Sequence, residues 1–207
     1  MVIKMEHMKK VGIMGGTFNP IHNGHILMAQ KAYEQFALDE VLFMPSGHSY
    51  LKTNVLDTKK RVDMVKLAIE RYPYFSMSLM EVERSGNTYT YETLQALKKE
   101  NPDTWYFFIV GADSLLYMEH WKNPSEIFAL ATILCAARDD YDIKALEGKR
   151  IYLQEKLHAD IRFIHMPKIE ISSTQIRSAV KNHASVAELV PKEVADYMAK
   201  EHLYEED

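Results

Sequence analysis

The chain has 207 residues, 47% of them apolar and 26% charged, a composition that suits one compact domain with a sizeable buried core. Its formal net charge of -4 supplies no basic field for gripping a long phosphate backbone, which argues against a nucleic-acid partner. The single cysteine, Cys135, cannot form an intramolecular disulfide and reads as a small buried hydrophobe, in keeping with a reducing cytoplasm.

Strand and helix signals alternate along the chain. Val11 to Met14 reads as a strand, and Ile26, Ala29, Tyr33 and Phe36 give helical spacing after Asn19-Pro20, where the helix is expected to start. Glu40 to Met44 is a second strand, Lys59 to Arg71 a helix, Phe75 to Met80 a strand and Thr90 to Lys99 a helix. Trp105 to Val110 is an unbroken apolar run, the pattern of a strand covered on both faces. A helix follows at Asn123-Pro124-Ser125-Glu126, with asparagine as its cap and proline in its first position. Strands at Thr132 to Ala136 and Ile161 to His165 flank a helix at Ile143 to Leu157. The run Ile127 to Ala137 falls well short of the ~18 residues needed to cross a bilayer, and MVIKMEHMKK lacks the core of a secretory signal, so neither anchoring nor export is expected.

This alternation predicts an α/β fold with a parallel sheet and helices on both faces, ending in a small helical part over residues 171–207. Ligands of such sheets sit beyond the carboxyl ends of the strands, and the stretch GGTFNPIHNGH, residues 15–25, occupies such a place. Gly15 and Gly16 allow a ligand close to the backbone, and the helix start that follows favours an anion. Phosphate is therefore the expected guest. The lysine of the P-loop and the glycine order of dinucleotide-binding loops are both missing. His22 and His25, three apart at a helix start, share one face and can aim ring N–H groups at the same oxygens; no third ligand at zinc-like spacing accompanies them. At Ile171-Ser-Ser-Thr-Gln-Ile-Arg177, Ser172 and Gln175 form a capping box, and Arg177 adds a permanently charged fork one turn in.

These residues resemble a known family. GTFNPIHNGH is similar to the H-x-G-H signature of the nucleotidyltransferase superfamily related to class I tRNA synthetases, and ISSTQIR to the I-S-S-T-x-x-R of its adenylyltransferases. Thr88-Tyr-Thr-Tyr-Glu-Thr-Leu94, Gly111-Ala-Asp-Ser114 with Trp121, and Leu189-Val-Pro191 through Leu203-Tyr204 are spaced as in bacterial nicotinate-nucleotide adenylyltransferases, so the resemblance runs from Lys10 to Tyr204. It implies a Rossmann-like nucleotidyltransferase domain over 10–207, preceded by an extension at 1–9 that leaves the start codon open among Met1, Met5 and Met8. It also implies ATP and nicotinate mononucleotide as substrates with Mg2+ as helper, which we expect to be held mainly through their phosphates with no protein carboxylate dedicated to it.

Carried over residue by residue, the resemblance gives ATP to Gly15, Gly16, Thr17 and Phe18 with His22, His25, Ser173 and Arg177, and its ribose to Gly111 and Asp113. Thr88, Tyr89 and Thr90 would offer backbone N–H groups to the pyridine carboxylate, and Trp121 would stack on the ring. Taken alone, Trp121 reads equally as core packing and Asp113 as a helix cap. Lys52 takes the place of the family lysine, although the loop Gly47-His-Ser-Tyr-Leu-Lys52 departs from the family pattern, as does Arg-Asp-Asp after Ala137, which puts a contact from Arg138 in doubt. No motif residue is placed as a nucleophile beside a base, so the acceptor phosphate is expected to attack the α-phosphorus directly and in line. Three rivals stand beside this reading: another adenylyltransferase, acting on pantetheine phosphate or on both pyridine nucleotides; a class I tRNA synthetase, for which the chain lacks a lysine loop and an anticodon domain; and a non-catalytic nucleotide-binding module. Oligomeric state is not encoded in any of these motifs, and a homo-oligomer is allowed.

Overall fold

The computed structural model describes residues 8–47, 55–137, 143–167 and 169–205. Six strands, β1 (Lys10–Gly16), β2 (Glu40–Pro45), β3 (Phe75–Met77), β4 (Trp105–Gly111), β5 (Ala131–Ala137) and β6 (Ile161–His165), form one sheet in the order β3-β2-β1-β4-β5-β6. Every neighbouring pair is parallel, with Val11 level with Glu40 on one side and with Tyr106 on the other. Parallel neighbours need crossovers, and the described helices supply them: α1 (Asn23–Phe36), α2 (Thr58–Ile69), α3 (Met80–Glu83), α4 (Thr90–Glu100), α5 (Ala112–Tyr117), α6 (Pro124–Leu130) and α7 (Ile143–Leu157). After β6 come α8 (Ser173–Lys181) and α9 (Lys192–Lys200).

The sheet separates two apolar clusters, and the strands are apolar on both faces for that reason. Along β4, Phe107 and Ile109 join the cluster formed with α1, α2, α8 and α9, while Tyr106, Phe108 and Val110 join that formed with α4, α5, α6 and α7. On β5, Leu134 and Ala136 face the first cluster and Ile133 and Cys135 the second. Alternate side chains point to opposite faces, so a strand buried on both must be apolar throughout. The expected α/β architecture is the one observed, a Rossmann-like doubly wound sheet.

Several boundaries differ from the sequence reading, each for a local reason. The first helix begins at Asn23 rather than near Pro20, because His22 is its cap and residues 17–21 form the loop. Asn123 does precede a helix with Pro124 in its first turn, but its side chain makes no capping bond; the residue lies at φ 51°, ψ 57°, a left-handed conformation that asparagine tolerates well. The expected strand to Met80 stops at Met77, and α3 follows from Met80. Helices α3 and α5, four and six residues long, are too short to show a period. The capping box on α8 is present as read: the Ser172 hydroxyl accepts from the Gln175 N–H at 3.2 Å, and Gln175 Oε1 accepts from the Ser172 N–H at 2.8 Å.

Burial fixes the chemistry of the one cysteine. Cys135 is fully enclosed in β5, and the loss of hydration there pushes its thiol up to about 12. We expect a thiol reagent such as Ellman's to leave the native protein unlabelled and to find one thiol per chain after unfolding in guanidinium. Rapid labelling of the native protein would contradict this packing.

Candidate active site

The strand order reverses at β1, which has β2 on one side and β4 on the other, so the helices after β1 and β4 leave on opposite faces and a crevice opens between them. A cavity of about 830 Å³ lies there, within the range of small-molecule sites. Gly15, Gly16, Thr17, Phe18, His22, His25, Thr88, Tyr89, Thr90, Gly111, Asp113, Trp121, Ser173 and Arg177 all border it. Lys52 and Arg138 lie outside the described residues.

One half of the cavity is built from two helix starts. Helices α1 and α8 both open on it, and neither carries an acidic residue in its first turn, which leaves the partial positive charge of both ends for a ligand. The histidine pair is arranged differently from the one-face reading. His22 stands outside the helix as its cap, and its ring stacks on that of His25 with centroids 3.7 Å apart. The ring of His22 also covers Gly24, where a Cβ would lie 3.0 Å from Nδ1, so a side chain there would crowd the stack. His25 Nδ1 accepts from the His22 backbone N–H at 3.2 Å. In the neutral ring the proton is then on Nε2, and His25 is a donor from that end.

Asn19 gathers the surrounding segments. Its carbonyl accepts from Arg177 Nη1 at 2.8 Å, and its side-chain oxygen accepts from the Tyr204 hydroxyl at 2.8 Å and from the Leu56 N–H at 3.3 Å. Ser173 donates its hydroxyl to the Pro20 carbonyl at 2.9 Å. Ser173 and Arg177 thus brace the loop 17–21 as well as border the cavity. The guanidinium of Arg177 has donors beyond those used on Asn19 and Thr174.

The other half is the start of α4. Tyr89 is the cap residue, Thr90 the first helical residue, and Trp121 packs edge-on to Phe108 across the cavity wall with centroids 6.1 Å apart. Two charged residues that sequence reasoning missed border this half. Lys122 Nζ lies 4.3 Å from the centroid of the Tyr89 ring, a cation over an aromatic face. Glu81 accepts from the Thr93 hydroxyl at 2.9 Å; burial pushes its carboxyl above the usual range, opposed by hydrogen bonds from Thr93 and Thr88 and by the charge of Arg84. Lys122 had a signal in its place directly after Trp121, whereas Glu81, in the short helix α3, had none.

Arg61 is the third residue missed, because Lys59-Lys60-Arg61 reads as a solvated helix face. It is 1% exposed. Its guanidinium donates to the Leu56 carbonyl at 3.0 Å, the Thr17 carbonyl at 2.7 Å, the Ser46 carbonyl at 2.9 Å and the Thr58 hydroxyl at 3.0 Å. It therefore ties the loop after β1 to the loop after β2. That second loop also packs tightly on α3: a Cβ at Gly47 would stand 2.2 Å from the Glu81 carbonyl oxygen, which only glycine avoids.

Residues 13–179 match a family described as cytidylyltransferase-like. A protein of Lachnoclostridium phytofermentans, "Probable nicotinate-nucleotide adenylyltransferase", is 43% identical over 199 residues, covering 95% of this chain and 100% of its own. One of Clostridium beijerinckii with the same description is 40% identical over 203 residues, covering 95% and 100%. Among solved structures, Plasmodium falciparum nicotinic acid mononucleotide adenylyltransferase complexed with NaAD superposes with a TM-score of 0.79 at 20% identity, covering 96% of this chain and 98% of that one, and its complex with APC gives 0.77 at 19% over the same shares.

The bonds of Arg61 predict a stability effect. Arg61→Met fills a similar volume but leaves several buried carbonyls without donors, so the unfolding free energy should fall by about 2–4 kcal/mol with the denaturant m-value unchanged. A variant as stable as the parent in a urea titration would mean that water replaces the guanidinium at no cost.

Proposed function

The chain belongs to the cytidylyltransferase-like family and, within it, to the nicotinate-nucleotide adenylyltransferases, and from that membership we propose how the two halves of its cavity divide the work. The enzyme transfers the adenylyl group of ATP to nicotinate mononucleotide, giving nicotinate adenine dinucleotide and pyrophosphate. The observation that carries our reading is that one cavity joins two helix starts without acidic first turns to the Thr88–Thr90 turn and Trp121.

In this reading the triphosphate lies against the backbone of Gly15 to Phe18 and the ends of α1 and α8, with the ribose at Gly111 and Asp113. The acceptor's phosphate oxygen forms a bond to the α-phosphorus as the bond to the leaving oxygen breaks, and the electron pair departs with pyrophosphate. An acceptor phosphate is already an anion near neutral pH, so no general base is needed, and the protein positions the groups and neutralises growing charge. His25 donates from Nε2, His22 holds it through the stack and the backbone bond, Arg177 adds a fixed positive charge, and Lys52 a further one. A divalent cation, magnesium in our reading, would be held mainly by the substrate phosphates. When bound it supplies charge neutralisation on the departing pyrophosphate. We place the reaction in the cytoplasm, in keeping with the unpaired thiol of Cys135. Residues 10–207 act as one catalytic domain, with 171–207 its helical closing part and 1–9 an extension.

At the acceptor half, the N–H groups of Thr88 to Thr90 and the first turn of α4 converge on the pyridine carboxylate, while Trp121 covers the ring. A carboxylate accepts from all of these donors. A carboxamide must turn its NH2 toward at least one of them.

The phosphate half predicts that His25→Ala lowers turnover by two to three decades, about 2.7–4 kcal/mol of transition-state stabilisation, with a smaller change in ATP binding. Unchanged turnover in a folded variant would remove His25 from the mechanism. For the acceptor half, kcat/KM for nicotinate mononucleotide should exceed that for nicotinamide mononucleotide by at least about 100-fold at fixed ATP. A ratio near one would mean that residues 88–90 do not read the acid.

A further inference from the structure

Tyr204 stands three residues from the end of the sequence, in a turn after α9, and takes no part in the scheme above. Its neighbour Leu203 is buried in the apolar cluster that holds Phe18, Ile21 and Ile176. Tyr204 itself adopts φ 67°, a left-handed conformation unfavourable for a tyrosine, which persists where the surroundings fix it. Its hydroxyl is directed at the side chain of Asn19, in the wall of the cavity, 2.8 Å from Oδ1.

The chemistry of this contact is one-way. A carboxamide oxygen only accepts, so the phenol is the donor. Burial holds the phenol in its protonated form, even though Arg177 and Arg61 both act on it in the opposite sense. With the Leu56 N–H, the phenol gives Oδ1 two donors from distant segments, which decides which end of the amide faces which way. The backbone carbonyl of the same asparagine carries Arg177. Turning the amide end for end would set its NH2 against both donors, and the loop would have to shift to relieve this. Three further ties dock the same C-terminal part onto the nucleotide half: the Asn23 side chain and N–H donate to the Glu188 and Leu189 carbonyls at 2.9 Å each, and the Tyr197 hydroxyl to Asp63 at 3.1 Å.

We propose that Tyr204 is a positioning residue of the nucleotide site, fixing the Asn19 carboxamide and through it the phosphate loop and Arg177. This rests on the reading of that half as the ATP site. The test compares the parent, Tyr204→Phe, Asn19→Ala and the double variant in two assays: calorimetric binding of α,β-methylene-ATP with magnesium and no acceptor, and steady-state kinetics with both substrates varied. Tyr204→Phe keeps the ring and its packing, so its melting temperature should stay near that of the parent. We expect it to weaken analogue binding and to lower kcat/KM for ATP by about five- to tenfold, the scale of one hydrogen bond, while KM for nicotinate mononucleotide is unchanged. Added to Asn19→Ala, it should have no further effect. Parent-like analogue binding by Tyr204→Phe, an equal rise in both KM values, or independent effects in the double variant would each overturn the proposal. So would failure of the parent to bind the analogue. If the parent binds the analogue but does not turn over nicotinate mononucleotide, the assigned acceptor is wrong and the binding arm still decides the role of Tyr204.

Discussion

Parallel pairing of β1 with both β2 and β4 is the constraint from which the rest of the molecule follows. Strands that all run one way deliver all their outgoing loops to a single edge of the sheet. Helices that leave on opposite faces from two adjacent strands cannot close over that edge between them. The opening is lined by backbone that has just left a strand and is about to enter a helix, which is where N–H groups are least used. Both the loop after β1 and the Gly111 turn are such places, and the cavity they border is an elaboration of that geometry.

An open edge made of loops needs holding, and polar contacts to the main chain do much of it. Arg61 offers one rigid fork to carbonyls on either side of β1 and β2, and Asn19 gathers donors from α8, from Leu56 and from the final turn. Buried guanidinium is costly to desolvate, and four loop carbonyls that must be held anyway, those of Leu56, Thr17, Ser46 and Gly47, are a use in which the cost is offset locally. Apolar packing would hold these loops less specifically, since it lacks direction. The same economy shows in Ser173 and Arg177, whose side chains brace the loop from one side while facing the cavity from the other.

The sheet was legible because strands buried on both faces are continuous runs such as residues 105–110, and α8 because Ser172 and Gln175 cap it reciprocally. Residues 15–25 stood out because core packing gives their glycines, proline and histidines no joint use, whereas Thr88 to Thr90 stood out only through the resemblance to a family; the structure brings both to one cavity. What stayed hidden depends on partners far away in sequence. Nothing local distinguishes Arg61, at the end of a charged triplet, from an exposed arginine; its burial comes from loops 15 and 44 residues distant. Glu81 sits in a helix of four residues with no pattern to read. The relation of His22 to His25 was read as a helical face, whereas the earlier residue caps the helix, and the hydrogen bond that sets the tautomer of His25 is a property of the cap.

The ties on the loop after β1 span unusual distances along the chain. Pro20 and Asn19 are held by residues 153, 158 and 185 positions later, at Ser173, Arg177 and Tyr204. Contacts of such separation form only after long loops have been closed, and closing them is the slow part of assembling a fold. A growing chain on the ribosome therefore carries the loop after β1 for at least 153 further residues before the first of these ties can form. The first part of the site to be made is among the last to be finished, so a chain released early would carry the signature of a nucleotide-binding protein without the braced loop that the signature describes.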